Sequence, residues 1–138
     1  MRVVVQRVLE ASVTIDGKLH SRIGPGLLVL AGWEEADTPD DNLWVAQKIS
    51  KMRLFPDAEG VMNRSVMEAG GELLVVSQFT LHASTKKGNR PSYFKAAHPR
   101  VSVPLYEDFL DVLWNEANLP VKSGVFGADM KVALVNDG

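Results

Sequence analysis

The stretch Ser77-Gln78-Phe79-Thr80-Leu81 sets two hydroxyls and a carboxamide together directly after Leu73-Leu74-Val75-Val76, a continuous apolar run. Polar side chains and main-chain amides that meet at the end of a hydrophobic strand can form an oxyanion site. N–H groups fixed in a dry pocket stabilise the charge that grows on an attacked carbonyl oxygen, and a threonine hydroxyl adds a hydrogen bond. Thr80 as a nucleophile would need an adjacent base, and the spacing guarantees no histidine or lysine within its reach. The same residues also suit an ordinary β-sheet threonine beside an exposed strand glutamine.

Other catalytic signatures are missing. The chain has no G-x-S-x-G elbow, no Walker loop and no H-E-x-x-H pair. Its three histidines, His20, His82 and His98, are too scattered for a recognisable metal site, and it has no cysteine. Gly24-x-Gly26 lacks the third glycine and the following helix of a dinucleotide fingerprint, and reads as a turn. Neither a metal nor a cofactor is expected.

The charge distribution adds a second feature. Net charge is -2, yet no Asp or Glu occurs from Leu73 to Tyr106, where Lys86, Lys87, Arg90, Lys95 and Arg100 all fall. The rest of the chain keeps ten of the 15 basic residues against all 17 acids. A confined basic segment on an acidic body suits a local phosphate contact, and equally a solvated loop.

The elements that must position these residues follow from periodicity. Arg2–Val8 and Ala11–Ile15 are β-branched strand material, and Asp16-Gly17 is a hairpin signal because both residues tolerate positive φ. Leu27–Ala31 and Leu73–Val76 read as strands buried on both faces. Thr38-Pro39-Asp40-Asp41 starts a helix whose apolar face carries Trp44, Val45, Ile49 and Met52. Residues 82–100 show no convincing period, and a loop of that length is often functional. A second amphipathic helix carries Leu105, Tyr106, Phe109, Leu110, Leu113 and Trp114 and ends near Asn118–Pro120. Strands over Val121–Phe126 and Asp129–Val135 close the chain. The result is a single α+β domain over residues 1–138, a curved, barrel-like sheet with two main helices packed outside.

At 138 residues, 46% hydrophobic and 23% charged, the chain suits one globular core. The absence of cysteine argues against a disulfide-stapled secreted scaffold, and the valine run Val3-Val4-Val5, broken by Gln6 and Arg7, is neither a signal-peptide core nor a span. A cytoplasmic protein without membrane contact is expected.

The chain resembles the D-aminoacyl-tRNA deacylase family nearly end to end. The blocks that carry the resemblance are Gln6-Arg7-Val8 with Ala11-Ser12-Val13, Gly26 to Leu30, Phe55 through Asp57 to Gly60 and Asn63, Ser77-Gln78-Phe79-Thr80-Leu81, Arg90-Pro91-Ser92, Phe126-Gly127-Ala128-Asp129-Met130, and Leu134-Val135-Asn136-Asp137-Gly138. The Ser-Gln-Phe-Thr-Leu block and the terminal Asn-Asp-Gly are highly specific together.

The resemblance implies hydrolysis of the ester that joins a D-amino acid, or glycine mischarged on tRNA(Ala), to transfer RNA. It implies a homodimer in which Ser77, Gln78, Phe79 and Thr80 of one copy face a Gly-cisPro gate from the other, with Asn136, Gly138, Arg7 and Met130 as substrate-binding or gate residues. Gly138 matches the glycine of that motif, and the family continues beyond it with the proline and a closing strand. Carbonyls of the gate would exclude an L-residue by clash. Amides around Phe79 and Thr80 would polarise the ester, and the terminal adenosine and neighbouring RNA would lie on Lys86, Lys87, Arg90, Pro91 and Ser92. Water would be activated by the 2'-hydroxyl of the terminal ribose, or Thr80 would attack directly. Two rivals are an editing module of the same fold that removes an L-residue, which the Ser-Gln-Phe-Thr-Leu block disfavours, and a non-catalytic RNA-binding dimer.

Overall fold

A computed structural model describes residues 1–138. The elements are β1 (Arg2–Ile15), β2 (Lys18–Ile23), β3 (Gly26–Gly32), α1 (Pro39–Lys51), β4 (Phe55–Pro56), β5 (Met62–Arg64), α2 (Val66–Ala69), β6 (Glu72–Ser77), a 3-10 turn (Phe79–His82), α3 (Pro99–Ala117), β7 (Val121–Ser123) and β8 (Met130–Asn136).

The hairpin forms where Asp16-Gly17 predicts it, the two residues taking φ of +50° and +73°, as a turn matched to strand twist requires. The two segments before it prove to be one strand of 14 residues. Beyond a bulge between Val13 and Thr14, β2 and β3 keep one register against β1, Ala11 opposite Ile23 and Val8 opposite Gly26, across the kink at Gly24-Pro25. β6 lies parallel to β3, from Gly26 opposite Glu72 to Ala31 opposite Ser77. The approach is close: a Cβ on Gly26 would stand 1.9 Å from the Glu72 carbonyl oxygen. Strand order is β2-β1-β3-β6-β7, with β8 on the other side of β1. The two ends of the sheet curl towards each other, where Ser21 Oγ donates to the Ser123 carbonyl at 2.9 Å and Lys122 Nζ to the Arg22 carbonyl at 2.6 Å. The sheet is therefore barrel-like and nearly closed.

Both central strands are covered on both faces, as continuous apolar runs demand. Leu27, Val29, Ala31, Leu73 and Val75 join Trp33, Ile49, Phe109 and Leu113 under the helices. The alternate residues Leu28, Leu74 and Val76 meet Val8, Val13 and Ile23 inside the curl. Trp33 ties the layers together: its Nε1 donates to Asn42 Oδ1 at 2.8 Å, and Asn42 Nδ2 donates to the Leu105 carbonyl at 2.8 Å.

Two helix expectations need correction. In α1 the buried residues are Asn42, Ala46, Ile49 and Ser50, while Trp44 is 62% exposed with Lys48 Nζ 5.4 Å from its ring centroid. Side-chain size is a poor guide here, because the Trp33–Asn42 bond rotates a polar residue inward. The first turn is fixed by Asp41, whose carboxylate accepts the Thr38 N–H at 2.8 Å. α3 begins at Pro99, ahead of its first strongly apolar turn, because His98 Nδ1 accepts the Arg100 N–H at 3.2 Å and caps it. It ends at Asn118, φ +51°, as expected. No helix is long and apolar enough to cross a membrane.

Candidate active site

The strand carrying the polar cluster ends where its ladder ends. β6 pairs with β3 as far as Ser77, and the Gln78 N–H donates to the Ala31 carbonyl at 2.7 Å. The chain then leaves the sheet in the 3-10 turn, so Thr80 is not a sheet threonine. The first bond of this turn runs from the Leu81 N–H to the Gln78 carbonyl at 3.2 Å. Phe79 and Thr80 open the turn, so their N–H groups have no acceptor within it. The Gln78 side-chain amide donates to Thr80 Oγ1, which fixes both side chains. Gly32 permits the arrangement: a Cβ there would stand 2.6 Å from the Gln78 carbonyl oxygen.

A cleft of about 320 Å³ opens beside this strand end, between Val76–Phe79 and the segment Phe126–Met130. A turn at Val125–Ala128 shapes the far wall, with Gly127 at φ +78° and the Ala128 N–H bonded to the Val125 carbonyl at 3.2 Å. Met130 packs against Gly124, where any Cβ would lie 2.4 Å from its sulfur. Tyr106, beneath, directs its hydroxyl to the Val75 and Gly124 carbonyls at 3.3 Å each, and burial pushes its pKa up. It stays neutral and structural. Ser77, Gln78, Phe79 and Met130 thus share one cleft, and Thr80 adjoins it through Gln78.

Of the residues expected at the gate, Met130 lines this cleft, while Arg7, Asn136 and Gly138 do not. Arg7 Nε donates to the Asp137 carbonyl at 2.8 Å and lies 3.2 Å from the Asp137 carboxylate, and its Nη1 donates to the Leu54 carbonyl. Asn136 Nδ2 donates to the Gly138 carbonyl at 2.8 Å. Arg7 therefore clamps the segment that ends in Gly138, where φ is +93° and a Cβ would lie 2.8 Å from Arg7 Nη2. The 3-10 turn sits at the other end of this stretch of β1, where Arg2 donates to the Leu81 carbonyl at 3.0 Å. Five residues of strand, about 17 Å, separate Arg2 from Arg7.

The basic segment folds back on itself. Ser84 and Ser92 exchange main-chain bonds of 2.8 and 2.9 Å, closing a loop that carries Lys86, Lys87, Arg90 and Pro91, all exposed. Phe79 and Tyr93 meet edge to face at 5.2 Å, which joins the loop to the cleft. Sequence reasoning missed three residues here. Gly32 could have been suspected as a glycine closing an apolar run, and Phe126, which opens a block that carries the family resemblance, was not given a place at the site. His82, buried beneath the loop, gave no signal.

Fold and cleft together mark a single α+β domain with a nearly closed sheet, whose hydrogen-bonding groups at a strand end suit polarisation of a bound carbonyl. Residues 4–138 match the family described as D-Tyr-tRNA(Tyr) deacylase, and the chain belongs to that family. It is 61% identical over 138 residues to the D-aminoacyl-tRNA deacylase of Parabacteroides distasonis and 60% to that of Dechloromonas aromatica, covering all of this chain and 92% of each relative. Among solved structures it is similar to the c-Myc DNA unwinding element binding protein, with a TM-score of 0.93 and 40% identity over 100% of this chain and 93% of that one. A probable eukaryotic D-amino acid tRNA deacylase shares the fold, with a TM-score of 0.84 at 17% identity over 99% of this chain and 94% of that one.

Proposed function

We propose that the protein hydrolyses the ester of D-aminoacyl-tRNA, and of glycyl-tRNA mischarged on tRNA(Ala), in the cytoplasm, and spares L-aminoacyl esters. The observation that carries this reading is the pair of main-chain amides at Phe79 and Thr80, free of the turn they open and next to the Ser77–Met130 cleft. Two N–H donors aimed at a developing oxyanion stabilise it in a way that side-chain chemistry need not reproduce. Thr80 accepts from Gln78, so its hydroxyl proton remains free to meet substrate or water. The nucleophilic water is activated by the 2'-hydroxyl of the terminal ribose.

The working unit is a homodimer. The family resemblance supports a pair of copies, each closing the other's cleft. Arg7 holds the Gly138 segment through the Asp137 and Leu54 carbonyls, and neither Arg7 nor Gly138 lines the cleft, so on this reading the gate over each cleft comes from the other copy. With the second copy in place, Asn136, Gly138 and Arg7 would present rigid carbonyls to the substrate's α-amino group, and a side chain of L configuration would collide with them. Lys86, Lys87, Arg90, Pro91 and Ser92 would face the RNA.

A second reading, nucleic-acid binding without catalysis, is favoured by the likeness to the c-Myc DNA unwinding element binding protein, which at 40% identity is named for binding a DNA element. D-tyrosyl-tRNA and L-tyrosyl-tRNA incubated in parallel with the purified protein separate the two. Rapid loss of the D-ester alone supports deacylation. Equal loss of both esters, or of neither, defeats it.

A further inference from the structure

The cleft opens where one ladder stops. β6 and β7 pair from Leu73 and Val121 to Val75 and Ser123, and a last bond runs from the Gly124 N–H to the Val75 carbonyl at 3.0 Å. Past this fork the two segments part, one towards the 3-10 turn at Phe79 and Thr80, the other towards Phe126–Met130. Tyr106 of α3 is buried in the fork. Its hydroxyl lies 3.3 Å from the Val75 carbonyl and 3.3 Å from the Gly124 carbonyl. Val75 already accepts the Gly124 N–H, but Tyr106 is the one donor within the chain to the Gly124 carbonyl. Gly124 is itself buried, and Met130 packs its sulfur against it. The Tyr106 ring meets Phe126 at 5.8 Å and Trp33 at 5.9 Å. Burial keeps the phenol neutral, so its proton is always available to donate. One side chain therefore touches both walls of the cleft at the point where main-chain pairing no longer joins them.

We propose that Tyr106 is a positioning residue for the deacylation, its hydroxyl and ring holding the Phe126–Met130 wall at a fixed distance from the strand end that carries the Phe79 and Thr80 amides. This rests on the reading that the cleft binds an aminoacyl ester, and adds to it the group that sets the cleft's width. Without the hydroxyl, the Gly124 carbonyl would be a buried acceptor with no donor, which costs more than the bond itself contributed. The peptide after Gly124 relieves that cost by turning towards water, and it takes Phe126 and Met130 with it. The opposite wall does not follow. Its amides are fixed by the bond from Gln78 to Ala31 and by the close approach of Gly32, neither of which involves Tyr106. Loss of the hydroxyl thus loosens the grip on the ester while the oxyanion donors stay in place, so it acts on KM and spares kcat.

The test compares Tyr106→Phe, which keeps the ring and removes only the hydroxyl, with Phe109→Leu, a core change further along α3 that lines neither wall. In turnover of D-tyrosyl-tRNA by the full chain, Tyr106→Phe should raise KM about 3- to 10-fold, the effect of one buried neutral hydrogen bond, with kcat within about twofold. Phe109→Leu should lower Tm by more, yet leave KM within about twofold. Amide hydrogen exchange in the free protein is a second, substrate-free readout. In Tyr106→Phe the Ala128 N–H, bonded to Val125 in the far wall, should exchange about tenfold faster, and the Leu81 N–H, bonded to Gln78 in the 3-10 turn, at its wild-type rate. A general loss of stability would speed both amides alike. Unchanged KM in Tyr106→Phe, an equal rise in Phe109→Leu, or equal acceleration of the two amides overturns the proposal. A wild-type protein that cleaves no D-ester overturns the proposed function, and the exchange of the two amides then decides alone whether Tyr106 holds the wall.

Discussion

Gly32→Ala is the sharpest substitution at the proposed oxyanion site that leaves every polar group in place. The added methyl would lie 2.6 Å from the Gln78 carbonyl oxygen and 3.3 Å from His82 Cδ2. An ordinary carbon–oxygen contact is about 3.3 Å or more, so the peptide joining Gln78 to Phe79 must move by roughly 0.7 Å. Gln78 cannot move freely, because its N–H is bonded to Ala31 at 2.7 Å. The strain is therefore taken up by the turn that carries the Phe79 and Thr80 amides. Overpacking of this kind costs about 1–3 kcal/mol, which should lower Tm by about 4–12 °C in a domain of this size. Misplacement of positioning groups by about 1 Å costs on the order of 100-fold in rate, so the chemical step should slow about 10- to 100-fold. Single-turnover deacylation of D-tyrosyl-tRNA at saturating enzyme reads that step directly. Gly24→Ala is the control, since its methyl would meet only Glu72 Oε1 at 3.6 Å, an ordinary contact; its rate should stay within about twofold. Wild-type rate in a folded Gly32→Ala protein would refute the argument that this turn supplies the donors.

Thr80→Ala removes the acceptor of the Gln78 amide and a donor next to the cleft; kcat should fall about 5- to 20-fold, and unchanged turnover takes Thr80 out of the mechanism. Arg7→Met releases the Asp137 carbonyl and the Leu54 carbonyl together. The D-over-L preference in paired tRNA assays should shrink by about tenfold or more, with less effect on stability than on selectivity. Asn42→Ala strands Trp33 Nε1 and the Leu105 carbonyl in the core; chemical denaturation should show a loss of about 2–4 kcal/mol, with kcat intact in the folded fraction. The Asp57 carboxylate accepts the Val61 and Glu59 N–H groups, and these bonds, Val61 first, hold its pKa below the ordinary value of 3.8. A lowered folded pKa stabilises above 3.8 and fades as pH falls through the lower folded value. A carboxyl NMR titration should place the midpoint below 3.8, with Val61 amide protection lost in the same range; a midpoint at or above 3.8 contradicts the turn.

The fold is legible wherever one local rule acts alone. Asp16-Gly17 marks the hairpin, the doubly apolar runs mark β3 and β6, and the spacing from Leu105 to Leu113 marks the buried face of α3. Periodicity fails where a distant partner decides. Trp44 has the character of a core residue, but Asn42 is drawn inward by Trp33 and Leu105, contacts set by the packing of α1 on α3. The start of α3 is hidden because its cap is a histidine, outside the usual capping set. At the site, Ser77–Phe79 and Met130 share a cleft, and nothing local foretells the 3-10 turn that frees the amides. That turn depends on Gly32, far from Ser77 in sequence, and periodicity carries no information about such a close approach. Arg7 bonds to Asp137 beside Gly138, a contact across 130 residues that no local pattern announces.

In the proposed mechanism, main-chain amides of one copy polarise the ester while the end of a second copy screens its handedness. A crystal structure with the amide-linked, non-hydrolysable analogue of D-tyrosyl-adenosine puts both halves on view at once. The analogue's carbonyl oxygen should lie about 2.7–3.1 Å from the Phe79 or Thr80 N–H, with its ammonium group against the Gly138 segment of the neighbouring copy. An analogue bound with its carbonyl away from the 3-10 turn, or held by one chain alone, would be incompatible with the mechanism.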